Sequence, residues 1–226
     1  QYIIDKMREL TGAKYGVLNK FDREGKTFRT IAFSGANSVL EKALSIMGFD
    51  FREKVWDYDP VWEAKIKDRK TTIFPHLSGL TGDVLPKKVI DRLCGVLHLQ
   101  QAAIVKATKN QQSIGDFTLL FSTGKALQNR ESAELYANLT GLLLSRVDAE
   151  ADLQSSEVKY KRLVEESPDI TYIYGSNSGA TFWSERVTDI LGYSPQHLLD
   201  NPFLWHDSIH PDDIKTVDKA IADTSK

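Results

Sequence analysis

The chain opens on apolar residues at helical spacing. Ile3, Ile4, Met7 and Leu10 share one face and Gly12 follows as a stop, so residues 1–10 are expected to form an amphipathic helix. The period then changes to two. Ala13 to Phe21 (AKYGVLNKF) and Lys26 to Ser34 (KTFRTIAFS) read as strands joined by a turn at Asp22-Arg23-Glu24-Gly25, an antiparallel hairpin. Helical spacing returns from Asn37 to Met47, through Val39, Leu40, Ala43, Leu44 and Met47. Phe49 to Val55 reads as an edge strand. A helix over residues 57–68 is expected to start at Asp59-Pro60, an N-cap followed by a proline at the first helical position. Thr71 to Phe74 is a short strand ended by Pro75, and Leu77 to Asp83 is a glycine-containing loop. Pro86 to His98 carries Val89, Leu93, Val96 and Leu97 at helical spacing. Ala102 to Ala107 and Ile114 to Ser122 are the clearest strands, with a turn at Lys109 to Gln112. This order predicts an α+β domain, an antiparallel sheet with flanking helices.

Arg130 to Glu166 holds no proline and one glycine, Gly141, and good helix formers dominate it. It also carries a heptad register. Leu135, Leu139, Leu142, Arg146, Ala149, Leu153, Ser156, Tyr160 and Leu163 alternate steps of four and three. Arg146 and Ser156 interrupt the seam, so the pattern describes a helix that can pair yet be shifted. The plainer alternative packs its first half on its own domain and leaves the rest as a solvated linker. After Ser167-Pro168 breaks the helix, Ile170 to Tyr174 and Ala180 to Trp183 read as a strand pair around a turn at Ser176 to Gly179. A short helix from Ser184 to Leu191 is ended by Gly192.

Composition narrows the classes. The 226 residues suffice for one large or two small domains; 41% are hydrophobic and 27% charged, as in ordinary globular proteins. A net charge of -2 argues against a nucleic-acid or anionic-membrane surface. A single cysteine, Cys94, excludes an internal disulfide and fits a reducing, cytoplasmic setting. No apolar run reaches the ~20 residues of a membrane span, and no signal peptide is visible. The start at Gln1 and the polar end suggest a piece of something longer.

Two stretches carry a family resemblance. LTGAKYGVLNKFDREGKTFRTIAFSG and QAAIVKATKNQQSIGDFTLLFSTG, the latter followed by a helix rich in Glu, Ala and Leu, resemble a GAF domain over roughly residues 1–146. From Tyr160 onward, the SPD before the first strand, LGYSPQHLLDNP, and Trp205 with Ile209, His210, Pro211, Asp212 and Asp213 resemble the front half of a PAS domain. The resemblance therefore implies a GAF-like sensory domain (1–146), a connecting coiled-coil-like helix (147–164) and the N-terminal part of a PAS-like domain (165–226). The PAS family places three more strands after this point. The PAS-like part is expected to be incomplete and to lean on the helix or a neighbouring chain, or to be partly disordered.

The resemblance also sets the candidate chemistry. GAF domains build their pocket walls in the middle segment, where Phe51, Trp56, Tyr58, Trp62 and Phe74 cluster, with Arg52, Lys54 and Arg69 nearby. These rings could hold a flat ligand or simply fill the core. Cys94, His98 and His76 join them as pocket candidates and as the available haem ligands, with a buried thiol and a helix-end histidine as the plainer reading. Photoreceptor GAF domains attach a bilin at a Cys-His dipeptide, but here Gly95 follows Cys94. One cysteine does not support zinc or a methionine-sulfoxide reductase cycle. Asn19-Lys20-Phe21-Asp22 is similar to a cyclic-nucleotide GAF signature but sits in the wrong strand, and reads as coincidence. His210-Pro211-Asp212-Asp213 reads as a helix start rather than a metal site, and His197 lacks the context of a kinase phosphoacceptor. No enzyme motif is present.

The expectation is the sensory input region of a signalling protein, most plausibly a prokaryotic sensor histidine kinase with the kinase domain in the same chain. It would bind a small ligand, or homodimerise through Leu135, Leu139, Leu142, Leu153, Tyr160 and Leu163, or both. The cofactor is unknown from sequence. The alternatives are a ligand-free dimerisation scaffold and a haem-based redox or gas sensor.

Overall fold

The computed structural model describes residues 1–22, 26–35, 54–57, 66, 69–81, 87–175, 179–202 and 204–224. Its contacts divide the chain into two units, Gln1–Ala149 and Glu150–Lys226.

In the first unit α1 (Tyr2–Thr11) ends at Gly12, whose φ of 70° places it in the left-handed region as the sequence signal requires. Strands β1 (Tyr15–Phe21), β2 (Thr27–Ser34), β3 (Val55–Asp57) and β4 (Thr71–Phe74) follow. Next come α2 (Ser78–Thr81), α3 (Lys87–Leu97), β5 (Leu99–Lys109) and β6 (Gln112–Ser122). The strands form one sheet in the order β3-β2-β1-β6-β5-β4, every neighbouring pair antiparallel. The α+β architecture read from the sequence is present. β5 and β6 run longer than their apolar cores because Asn110 and Gln111, with φ of 49° and 67°, make the tight two-residue hairpin turn. The edge strand expected over 49–55 is instead Val55–Asp57. The helix expected over 37–47 lies outside the described residues, as does the Asp59-Pro60 cap.

Both faces of the sheet are buried. On one, Ile4 and Met7 of α1 and Ala133 and Ala137 of the long helix α4 (Arg130–Glu165) pack on Leu18, Val105, Phe117 and Leu119. On the other, Ile90 and Leu97 of α3 pack with Phe74 and Leu77 on Tyr15, Leu99 and Ile104. Two-sided burial explains why Ala102 to Ala107 is a continuous apolar run rather than an alternating one.

α4 reaches the sheet through small side chains. Ala133, Ala137 and Gly141 recur every four residues on its inner face, and all three are buried. A Cβ added at Gly141 would lie 2.7 Å from both the N and the O of Thr108. Polar ties fix the register. Thr108 Oγ1 donates to Asn138 Oδ1 at 2.7 Å and Lys109 Nζ donates to Ser145 Oγ at 2.7 Å. Lys20 pairs with Asp148, and Tyr136 donates its hydroxyl to Ile3 O at 3.2 Å.

In the second unit β7 (Tyr172–Gly175) and β8 (Gly179–Trp183) form an antiparallel pair. The helices are α5 (Arg186–Leu191), α6 (Pro195–Asp200), α7 (Leu204–Asp207) and α8 (Ile214–Thr224). Ala180, Trp183, Val187 and Leu198 form its own small core. α6 starts as its sequence demands, with Pro195 at the first position and Ser194 Oγ accepting from His197 N–H at 3.2 Å. Gly192 ends α5 at φ 78°.

Candidate functional site

Strand register assembles a polar row on the sheet face opposite α1 and α4. Thr30 on β2 pairs with Asn19 on β1, Asn19 with Asp116 on β6, and Asp116 with Lys106 on β5. Directly opposed residues share a face, so these four side chains form one line across four strands. Asn19, Asp116 and Lys106 are 6%, 3% and 8% exposed, so the row belongs to the interior.

The hydrogen bonds run one way. Thr30 Oγ1 donates to Asn19 Oδ1 at 3.0 Å, and Asn19 Nδ2 donates to Asp116 Oδ1 at 2.9 Å. Thr118 Oγ1 also donates to Asp116 Oδ1, at 3.2 Å. Burial pushes the Asp116 carboxyl up to about 6, against the opposing pull of the Asn19 and Thr118 hydrogen bonds and the Lys106 charge. Desolvation therefore outweighs three favourable partners.

The rows on either side are mainly apolar. One is aromatic: Trp56, Phe28 and Phe21 are in register, and the Phe28 and Trp56 rings stack at 6.3 Å. The other is Phe33, Val17, Thr118, Ile104 and Thr72. Thr72 Oγ1 is buried there with no hydrogen-bond partner among the described residues.

Among the described pocket candidates, Phe74 and Cys94 come together, while Trp56 lies on another strand at the far edge of the sheet. Phe74 is buried and Cys94 packs partly buried against the same cluster. Burial, and then the charge of Asp91, push the Cys94 thiol up, away from the thiolate that ligates iron. Trp56 sits on the edge strand, half-buried, with Lys54 Nζ 4.3 Å from its ring centroid. His76 and His98 are exposed. His98 follows α3 at φ 49°, and its carbonyl accepts from Thr123 N–H at 3.1 Å, so its backbone serves as a helix stop. Phe51, Tyr58 and Trp62 lie outside the described residues. Among the described residues no three His, Cys, Asp or Glu side chains cluster to hold a metal ion.

Apart from Asn19, noticed only within a string read as coincidence, the polar row was missed. In β6 alone, Asp116 and Thr118 look like a solvated face alternating with Phe117 and Leu119. The signal lay in the partner strand. Ala102 to Val105 of β5 are apolar on both faces, so the strand paired beside them is buried on both faces too.

The seam residues of α4 lie on its outer side. Leu135, Leu139, Leu142, Leu153, Tyr160 and Leu163 are each 50–67% exposed, whereas the helix packs through Ala133, Ala137, Thr140 and Gly141. The first half of α4 does pack on its own domain, but not through its leucines. A cleft of ≈ 490 Å³ in the second unit is lined by Glu165, Glu166, Pro168, Glu185, Arg186 and Asp189. Arg186 there is already committed to Pro168 O and Asp189 Oδ2, leaving mainly solvated carboxylates.

Residues 180–226 match the family model of the PAS fold. The PAS-like reading of the second unit thus stands on a family match as well as on its motifs. No curated protein matches the chain. Among solved structures, it is similar to the GAF domain/HD domain protein of Geobacter sulfurreducens, at 16% identity and TM-score 0.48 over 65% of this chain and 90% of that one. It is similar to a domain assigned to a two-component sensor histidine kinase of Sinorhizobium meliloti 1021, at 15% identity and TM-score 0.46 over 68% and 93%. The blue-light-absorbing form of the Thermosynechococcus elongatus PixJ GAF domain is similar at 15% identity and TM-score 0.46 over 69% and 88%. Similarity at this level says nothing of ligand or output. Among the described residues no helix is long and apolar enough to cross a membrane.

Proposed function

We propose that this chain is the sensory input region of a multidomain signal-transduction protein, with a histidine kinase as its output. The observation that carries the reading is α4. It is one uninterrupted helix of 36 residues that is held to the first unit's sheet by small residues while its apolar seam faces away. Half-exposed leucines at heptad spacing are costly in water and are covered when two copies pair in parallel. A ligand on the opposite sheet face would bias the paired helix between two close arrangements, because Arg146 and Ser156 weaken the layers between good ones.

Two measurements test this. Replacing Arg146 with leucine repairs a seam layer, so sedimentation should show dimer dissociation weakened at least tenfold; unchanged association removes the seam. Native mass spectrometry of the freshly purified chain should show a discrete added mass. Bare chain mass together with a strengthened dimer would favour a ligand-free dimerisation scaffold over a ligand sensor.

A further inference from the structure

We infer that like charge works against the α4 seam between Arg146 and Glu157, which makes this stretch the part of the paired helix that opens and closes. The inference rests on the parallel pairing proposed above and adds where that pair is adjustable.

The first half of α4 is presented by its own domain, and the residues flanking the seam there are neutral and engaged. Tyr136 donates to Ile3 O, Asn138 Oδ1 accepts from Thr108, and Ser145 Oγ accepts from Lys109 Nζ. Asp148 pairs with Lys20 on β1. From Ala149 to Leu163, in contrast, every residue is exposed. Residues 147–158 (VDAEADLQSSEV) hold four acids and no base, and the basic run 159–162 (KYKR) follows at once. A parallel pair related by a twofold axis lays each block on its own copy, acid on acid.

The register makes the clash specific. In a parallel pair, the residue flanking the seam on one helix meets the flanking residue five places later on the other. Asp152 then meets Glu157, and the axis repeats the contact on the opposite side. The neighbouring pairs, Ser145 with Glu150 and Lys159 with Val164, do not oppose like charges. The Asp152–Glu157 contact borders the layer of Ser156, which is already poor. Leucine layers lie before this stretch, and the layers of Tyr160 and Leu163 lie after it. Repulsion therefore acts in the middle of the seam, where the packing that resists it is weakest.

Charge exchange on the full 226-residue chain, followed by sedimentation at low salt, tests this. Glu157→Lys alone and Asp152→Lys alone each turn both repulsive contacts into attractive ones. Each should tighten the dimer about tenfold. Effects within one helix are common to monomer and dimer and cancel. The variant with both exchanges restores repulsion and should return to within about threefold of the unaltered chain, although its net charge is changed most. Salt at about 1 M should erase the gain of the single variants. Amide exchange locates the effect: Glu157→Lys should slow exchange over 149–157 and leave 135–142 unchanged. Both positions are exposed, and circular dichroism would show that the variants are folded. Unchanged association in both single variants, beside a tighter Arg146→Leu dimer, overturns this inference and leaves the pairing. A doubly exchanged chain as tight as the single ones overturns it too, because net charge rather than this contact would then govern the seam. No association in any variant, Arg146→Leu included, overturns the pairing as well.

Discussion

Replacing Gly141 with leucine is expected to detach α4 from the sheet and destabilise the first unit by about 3 kcal/mol or more. A Cβ at this position would sit 2.7 Å from Thr108 N and O and 2.9 Å from the Ala107 carbonyl carbon. Those atoms belong to a strand hydrogen-bonded to its neighbour, so they cannot move aside cheaply. Even Gly141→Ala should destabilise, although alanine is about 1 kcal/mol better in a helix interior. The two effects can be separated. In an isolated peptide spanning 130–149, Gly141→Ala should raise helicity; in the intact chain the same change should lower the urea midpoint. A stabilised intact chain would mean that α4 does not approach β5 this closely. Loss of this packing also removes the Asn138 and Ser145 ties to Thr108 and Lys109, which fix how the helix is presented.

Asp116→Asn is expected to change how stability depends on pH. The folded-state carboxyl titrates at about 6, raised above its ordinary ~3.9 by burial. A raised carboxyl pKa means that the folded state holds its proton more tightly than the unfolded state. The associated stability is fully present below pH ~4 and is lost as pH rises through about 6, a swing of about 3 kcal/mol. The variant has no proton to lose. Urea unfolding at pH 4.5 and pH 7.5 should therefore show the variant gaining on the wild type by about 2 kcal/mol as pH rises. A difference independent of pH would mean that Asp116 titrates normally and is not buried as described.

Much of the fold was legible because it rests on local periodicity. The period-two runs from Tyr15 to Ser34 and Leu99 to Ser122, the stop at Gly12, the Ser194-Pro195 cap and the unbroken helix from Arg130 each depend on neighbours a few residues away. The heptad register of α4 was legible for the same reason. The chemistry of the sheet face was not. Asn19 and Asp116 are 97 residues apart in sequence and meet only because β1 and β6 are neighbours in the sheet. Of the histidines offered as ligand candidates, His98 sits at a helix end, as its plainer sequence reading has it, and His76 in the turn after β4, with both side chains exposed.

By itself, then, the sequence determined the elements, the α+β class, the PAS-like second unit and the apolar stripe of α4, since each is written in spacing along the chain. Only the tertiary structure decided which side of α4 that stripe occupies, why Gly141 cannot carry a side chain, and that a solvated-looking aspartate is an interior acceptor. Those outcomes depend on strand order and register, which bring distant backbone and side chains within hydrogen-bonding or van der Waals distance. No local pattern encodes that proximity.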